Sequence, residues 1–306
     1  MSLIRPETRG KRISLTRGDR VFTACNTVLM CLIIIVILYP LYFILIASVT
    51  DPYVVNSGRL LLYPQKLYLR GYQKIFEYRP LWSGYRWSLI YTLLGTLINV
   101  LVTVPAGYSL SRKDLVGRNA MMFLFTFTMF FSGGLIPLYL LVSNIKILNT
   151  PWALTLPVAV SVWNLIITRT FFQTNIPDEM LEAAVIDGCS NFRFFFSIVL
   201  PLSKVILSVI TLFYAVNHWN GYFYALIYLS DDRRYPLQLI LRNLLIINTI
   251  GNSSMAGDSI GMADRMRLAE QLKYGIIVVS SVPLLIVYPF LQKYFAQGVM
   301  IGAIKG

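Results

Sequence analysis

The 306-residue sequence predicts an all-α membrane protein of six transmembrane helices, with one further polar helix between the fourth and fifth. Three observations predict it. Hydrophobic residues make up 56% of the chain and charged residues 13%, against about 25% charged in a soluble domain, and the mean hydropathy is +0.63. Six segments approach or exceed the roughly 20 apolar residues that cross a hydrocarbon core about 30 Å thick. Between two of them lies a stretch of small and acidic residues broken by a glycine, Glu182-Ala183-Ala184-Val185-Ile186-Asp187-Gly188. Lipid has no place for such a stretch.

The first span is uncharged from Val21 to Thr50, with Pro40 as an expected kink. The second runs from Trp87 to Leu110, the third from Asn119 to Ser143 and the fourth from Trp152 to Thr168. The fifth covers Val205 to Leu229 and the sixth starts at Tyr274 and reaches Phe290. In lipid each backbone polar group must be satisfied within its own segment, so these runs are expected as helices. They lack the polar–apolar alternation of barrel strands. The chain thus divides into a basic tail over 1–20, a helical membrane domain over 21–295 and a C-terminal tail over 296–306.

The first run is too long for a cleaved leader, whose apolar core spans about 7–15 residues, and no A-x-A site follows it; an uncleaved anchor is expected. Lys and Arg divide almost evenly between the two sides, but the orientation rule weighs tails and short loops. Arg5, Arg9, Lys11, Arg12, Arg17 and Arg20 fill the N-terminal tail, and Arg112, Lys113 and Arg118 crowd one tight loop. Both termini are therefore expected in the cytoplasm. A formal charge of +13 does not point to nucleic acid in a chain that needs lipid as its solvent. Cys25, Cys31 and Cys189 form no recurrent spacing and read as free thiols.

Two long connections, over 51–86 and 230–273, fall on the outer side. In the first, Leu67-Tyr68-Leu69 reads as a short strand or lip; in the second, the run from Gly251 to Asp258 reads as an excursion between short helices. Arg59, Lys66, Arg70, Arg233, Arg234 and Arg242 make this face basic. That suits an acidic oligosaccharide such as a uronic acid oligomer, and equally lipid headgroups or an acidic binding protein.

In the polar connection, Asp178 after Pro177 is placed to cap a helix, and Glu179 and Glu182 suit the positive end of its dipole. Ala183 and Ala184 allow close approach of a partner backbone. Gly188 ends the helix, since glycine takes turn geometry without steric cost. Phe192, Phe194, Phe195, Phe196 and Ile198 rebuild an apolar face before Pro201. A helix–turn–helix elbow is expected. Its physical features fit a docking element, and they also fit an ordinary amphipathic connector.

The register Glu182, Ala183, Ala184, Asp187, Gly188, Phe195, Ile198, Leu200 and Pro201 resembles the EAA loop of bacterial ABC importer permeases, with Cys189 where alanine is usual. Phe131-Ser132-Gly133-Gly134-Leu135-Ile136-Pro137, His218-Trp219-Asn220-Gly221 and the run from Gly298 to Gly306 extend the resemblance over most of the chain. They are similar to the carbohydrate-uptake, MalG-like and LplC-like permeases. The resemblance implies a subunit of the bacterial inner membrane with Glu182, Ala183, Ala184, Asp187, Gly188 and Pro201 coupling to an ATPase. It implies a second homologous permease, two ATPase subunits and an extracytoplasmic solute-binding protein as partners, with contact to the binding protein near 243–270. ATP and Mg would sit on the ATPase partner, with no cofactor or metal on this chain. The C-terminal residues Gly302, Lys305 and Gly306 are expected near the ATPase dimer, where a frayed terminus is the alternative.

No motor is visible. The chain lacks a G-x-x-x-x-G-K-[ST] phosphate loop and an H-E-x-x-H motif, and His218 is its only histidine. No catalytic residue is assigned; the chain is not expected to be an enzyme. An ion-coupled secondary transporter of a small polar solute is the alternative. Spans almost free of acids disfavour it, while Pro40, Pro105, Pro137 and Pro157 as helix breakers keep it open.

Sugars are bound by aromatic faces and amides. Tyr214, Asn217, His218, Trp219, Asn220 and Tyr222 in the fifth span, with Trp163 and Asn164 in the fourth, supply that mixture. They are the expected lining of a substrate pathway; hydrogen-bonded glue between helices is the alternative.

Overall fold

The computed structural model describes residues 16–57, 62–251 and 271–283, together with Leu285, Ile286 and Pro289. The described residues are almost entirely helical. Their only β-type pairing is an isolated antiparallel bridge between Thr50 and Leu67, so the lip at Leu67–Leu69 closes as one bridge and not as a strand. The excursion after Gly251 and the tail bearing Gly302, Lys305 and Gly306 lie outside the described residues.

Helix α1 (Arg17–Val49) opens on a capping box in which Thr16 and Asp19 satisfy each other's backbone N–H groups. It continues through Pro40, and α4 (Arg79–Ser111) continues through Pro105. Neither proline ends its helix. Among the described residues these two are the helices long and apolar enough to cross a membrane unbroken. Short helices α2 (Pro52–Asn56) and α3 (Arg70–Glu77) connect them.

The third span departs from a continuous helix. It is α5 (Arg118–Phe130) and α6 (Leu135–Asn144), bent by 112°. The bend falls at Gly133-Gly134, where Gly134 has φ +86°, a backbone open to glycine at little cost. The fourth span is also interrupted, as α7 (Pro151–Thr155) and α8 (Val162–Asn175). The polar connection folds as α9 (Asp178–Ile186), α10 (Asn191–Phe194), a π-helical turn over Phe195–Val199 and α11 (Leu200–Leu202). The π turn precedes Pro201, which has no N–H for an i→i−4 bond; Leu200 N–H instead reaches Phe195 C=O. The fifth span is α12 (Lys204–Asn220), set at 80° to the preceding segment, followed after Gly221 by α13 (Phe223–Tyr228). A turn at Asp232–Arg234 leads to α14 (Leu237–Gly251), and a helix covers 271–283.

Helix α4 is the hub, packing against α8, α12 and α14. Glycines let it. A Cβ at Gly84 would lie 2.7 Å from Ile240, one at Gly95 2.4 Å from the His218 ring, and one at Gly107 2.8 Å from Thr168. Small residues substitute for hydrophobic drive between helices in lipid, where packing decides association. By contrast α1 is exposed along most of its length, from Val21 to Leu45.

Candidate functional site

The described residues carry two features able to act, one at the C-terminal end of α4 and one beside Tyr91 within it. The first is the elbow. Ala184, Phe194, Phe195 and Val199 bury against Tyr108 and Phe172, anchoring it to α4 and α8. Gly188 has φ +73° and turns the chain between α9 and α10. Its amide bonds Val185 C=O, and Cys189 N–H reaches Ala184 C=O.

The arrangement corrects one expectation. Pro177, not Asp178, is the N-cap of α9, and no side chain caps that helix. Asp178 stands one residue inside the first turn and reaches sideways. Its Oδ2 lies 2.7 Å from Lys113 Nζ in the tight loop after α4. That bond and the nearby carboxylate raise the Lys113 ammonium above its ordinary value. Arg112 works on the same loop. It donates to Asp114 (Nε to Oδ1, 2.7 Å), to Tyr108 Oη (3.2 Å) and to Asn191 Oδ1 (3.3 Å) at the start of α10. Its guanidinium holds the Asp114 carboxyl below the usual range. The loop after α4 thus grips both halves of the elbow. A groove of about 590 Å³ lies between them, lined by Tyr108, Arg112, Asp114, Asp178 and Glu182 among others.

Of the residues assigned to coupling, Glu182, Ala183, Asp187, Gly188 and Pro201 are exposed, while Ala184 turns inward. Its small size therefore serves packing within the chain. Val185 and Ile186 were missed, and they are the exposed apolar tip of α9, Ile186 at 86% exposure. Two adjacent aliphatic residues at the end of a helix that carries Asp178, Glu179 and Glu182 were the signal.

The second feature is a cavity of about 260 Å³ where α12 breaks at Gly221. Tyr91, Asn217, His218, Asn220, Tyr222 and Tyr224 line it, with α13 and Pro236 closing it. Asn217, Asn220 and Tyr222 are exposed into it. The other pathway residues sit elsewhere. Tyr214, Trp219 and Asn164 are buried between helices, and Trp163 faces outward at 59% exposure.

The reason is the gap between α7 and α8. A helix broken within a span leaves backbone groups without partners. Asn99 Nδ2 donates to Val158 C=O (2.6 Å), which leaves Asn99 Oδ1 to accept from His218 Nε2 (2.6 Å). Tyr214 Oη accepts from Ser161 N–H (3.1 Å) and shares a 2.7 Å bond with Thr103. Tyr214 therefore splices the broken span. His218 reaches the break only through Asn99, and it also lines the cavity. Asn99 was absent from the expected set, although an amide in mid-span is itself a signal.

Among the described residues, almost entirely helical, two helices are long and apolar enough to cross a membrane and two bent pairs reach that length and composition; with the elbow anchored on α4 and α8, they define a membrane permease component. The chain belongs to the family of binding-protein-dependent transport system inner membrane components, which matches residues 12–301. It is thereby a permease subunit of an ABC importer, and the ion-coupled alternative falls. The chain is 41% identical over 268 residues to the polygalacturonan/rhamnogalacturonan transport system permease protein YtcP of Bacillus subtilis (strain 168), covering 87% of this chain and 92% of that one. It is 36% identical over 291 residues to Protein LplC of the same organism, covering 95% and 97%. Its fold matches a chain in the crystal structure of a bacterial ABC transporter involved in the import of the acidic polysaccharide alginate. The TM-score is 0.79 at 30% identity, with 92% of this chain and 98% of that chain covered.

Proposed function

We propose that this chain is one of two permease subunits of an ATP-driven importer of an acidic, uronate-containing oligosaccharide. The observation that carries the substrate class is the 41% identity, over 87% of the chain, to a permease named for polygalacturonan and rhamnogalacturonan. Likeness to an alginate importer, a second acidic polysaccharide system, supports it. A cavity lined with tyrosines and amides supplies matching chemistry: rings for the sugar C–H faces, amides for its hydroxyls.

In this reading six crossings are made by α1, α4, α5 with α6, α7 with α8, α12 with α13, and the helix that covers 271–283. The elbow faces the cytoplasm. Supporting this, the tight loop with Arg112, Lys113 and Arg118 gathers at the elbow end of α4. The elbow docks on an ATPase partner that binds ATP and Mg, and its anchored root lets it transmit closure of that partner as a lever. A second permease completes the pathway, and a solute-binding protein delivers cargo from outside.

The test is reconstitution of the assembled complex with its binding protein. Trigalacturonate should stimulate ATP hydrolysis more than its carboxyl-reduced counterpart. Equal stimulation by the two, or stimulation by the neutral sugar alone, removes the acidic substrate.

A further inference from the structure

The basic outer face raises a question of division of labour: which cation meets the cargo. Arg234 is occupied, donating to Asn149 C=O and pairing with Asp231 at 3.6 Å. Lys74 pairs with Glu77. Arg242 on α14 differs. It is half-buried, and no carboxylate pairs with it among the described residues. Its guanidinium carbon lies 5.9 Å from the centroid of the Tyr222 ring, and Tyr222 lines the cavity at the α12 break. Of the cations at this end, Arg242 is the one the structure sets against a cavity-lining ring among the described residues.

We propose that Arg242, held over the Tyr222 ring that lines this cavity, reads a carboxylate of the cargo and makes the pathway selective for uronates over neutral sugars. The inference rests on the proposed substrate class and adds the residue that recognises it. A guanidinium stacked on an aromatic face keeps its in-plane N–H groups available, and those groups match a carboxylate two-pronged. One donor is lightly engaged, Nη1 to Asn243 Oδ1 at 3.3 Å, which fixes the plane without neutralising the charge. Asn217 and Asn220 stand across the same cavity for hydroxyls. At about 260 Å³ the cavity is below the roughly 300–1,000 Å³ of drug-sized sites, so it reads the chain one sugar unit at a time. A half-buried cation with no carboxylate partner among the described residues is open to one that arrives with the ligand.

The test uses the full reconstituted complex, with trigalacturonate and its carboxyl-reduced counterpart each saturating the binding protein. Arg242→Gln should lower trigalacturonate-stimulated ATP hydrolysis at least tenfold and leave stimulation by the neutral sugar unchanged. Arg242→Lys, which keeps the charge without the fork, should fall between Gln and parent. Undiminished trigalacturonate stimulation in Arg242→Gln overturns the role of Arg242 while the acidic substrate stands. Equal loss of both stimulations in both variants also overturns it, because Arg242 then serves folding or docking of the binding protein. A parent complex that ignores trigalacturonate overturns this inference and the acidic substrate together.

Discussion

Lys113 and Asp178 meet at 2.7 Å across the groove at the base of the elbow, one from the loop after α4 and one from the first turn of α9. Both side chains are largely in water, so the pair adds little to stability. What it fixes is position, since the loop it holds continues into the hub helix.

Breaking this pair should uncouple rather than unfold. Lys113→Glu is expected to leave assembly intact and to lower cargo-stimulated ATP hydrolysis severalfold. The swap Lys113→Glu with Asp178→Lys should restore most of it, and no restoration would show that the pair is incidental. The folded Lys113 value lies above its ordinary 10.5, so its contribution is complete below about pH 10.5 and is lost only as pH rises through the raised value. Coupling should therefore show no loss from this pair between about pH 7 and 9.

Gly188 tests the elbow as a lever. Nothing lies within 4 Å of a Cβ built there, so only its φ of +73° resists substitution. A β-branched residue in that region costs about 1–2 kcal/mol, whereas asparagine tolerates it. Gly188→Val should retain some ATPase subunit on purification but lose stimulated hydrolysis and uptake, while Gly188→Asn should transport. Equal transport by the two would show that the turn geometry is immaterial.

Glu182 is exposed on α9, the helix that the Gly188 turn ends. A charge-assisted bond from it to the ATPase is expected to contribute about 1.5–3 kcal/mol, or about one to two decades of affinity. Glu182→Lys should therefore lose the ATPase subunits on affinity purification. Full retention would remove the docking role from this residue.

The contact between Gly95 and His218 leaves no room for a methyl group. Gly95→Ala should displace the imidazole, break its bond to Asn99 and cost about 1–3 kcal/mol. A thermal shift of the purified complex reads this. Adding His218→Ala should cost less than the sum of the two single changes; strict additivity would mean that the two sites do not meet.

Deleting 251–258 should lower stimulation of hydrolysis by loaded binding protein without affecting assembly. Deleting 302–306 should weaken ATPase coupling with the helices still inserted. Wild-type uptake after either deletion would make that segment a spacer or a free end.

Composition and the length of the apolar runs determined by themselves that this chain lives in a bilayer as helices, because lipid offers a peptide group no partner outside its own segment. The elbow was equally legible. A polar, glycine-broken run between greasy ones has only the membrane surface to occupy, and the positive φ of Gly188 agrees with its role as a turn. The breaks were legible only in part: Pro40 and Pro105 stay inside helices and the third span bends at a glycine pair, while the fourth opens near Pro157, one of the expected helix breakers. A proline marks a missing hydrogen bond, but neighbouring helices decide whether the ladder opens there. The roles of Tyr214 and Asn164 belonged to the tertiary structure for the same reason. Their residue types suit a sugar, yet Tyr214 bonds Thr103 and Ser161 at the break, and Asn164 is buried beside it. One-dimensional spacing places a side chain on a helix face. What that face meets, a lumen or a gap in another helix, is decided by how α4 lets its neighbours approach.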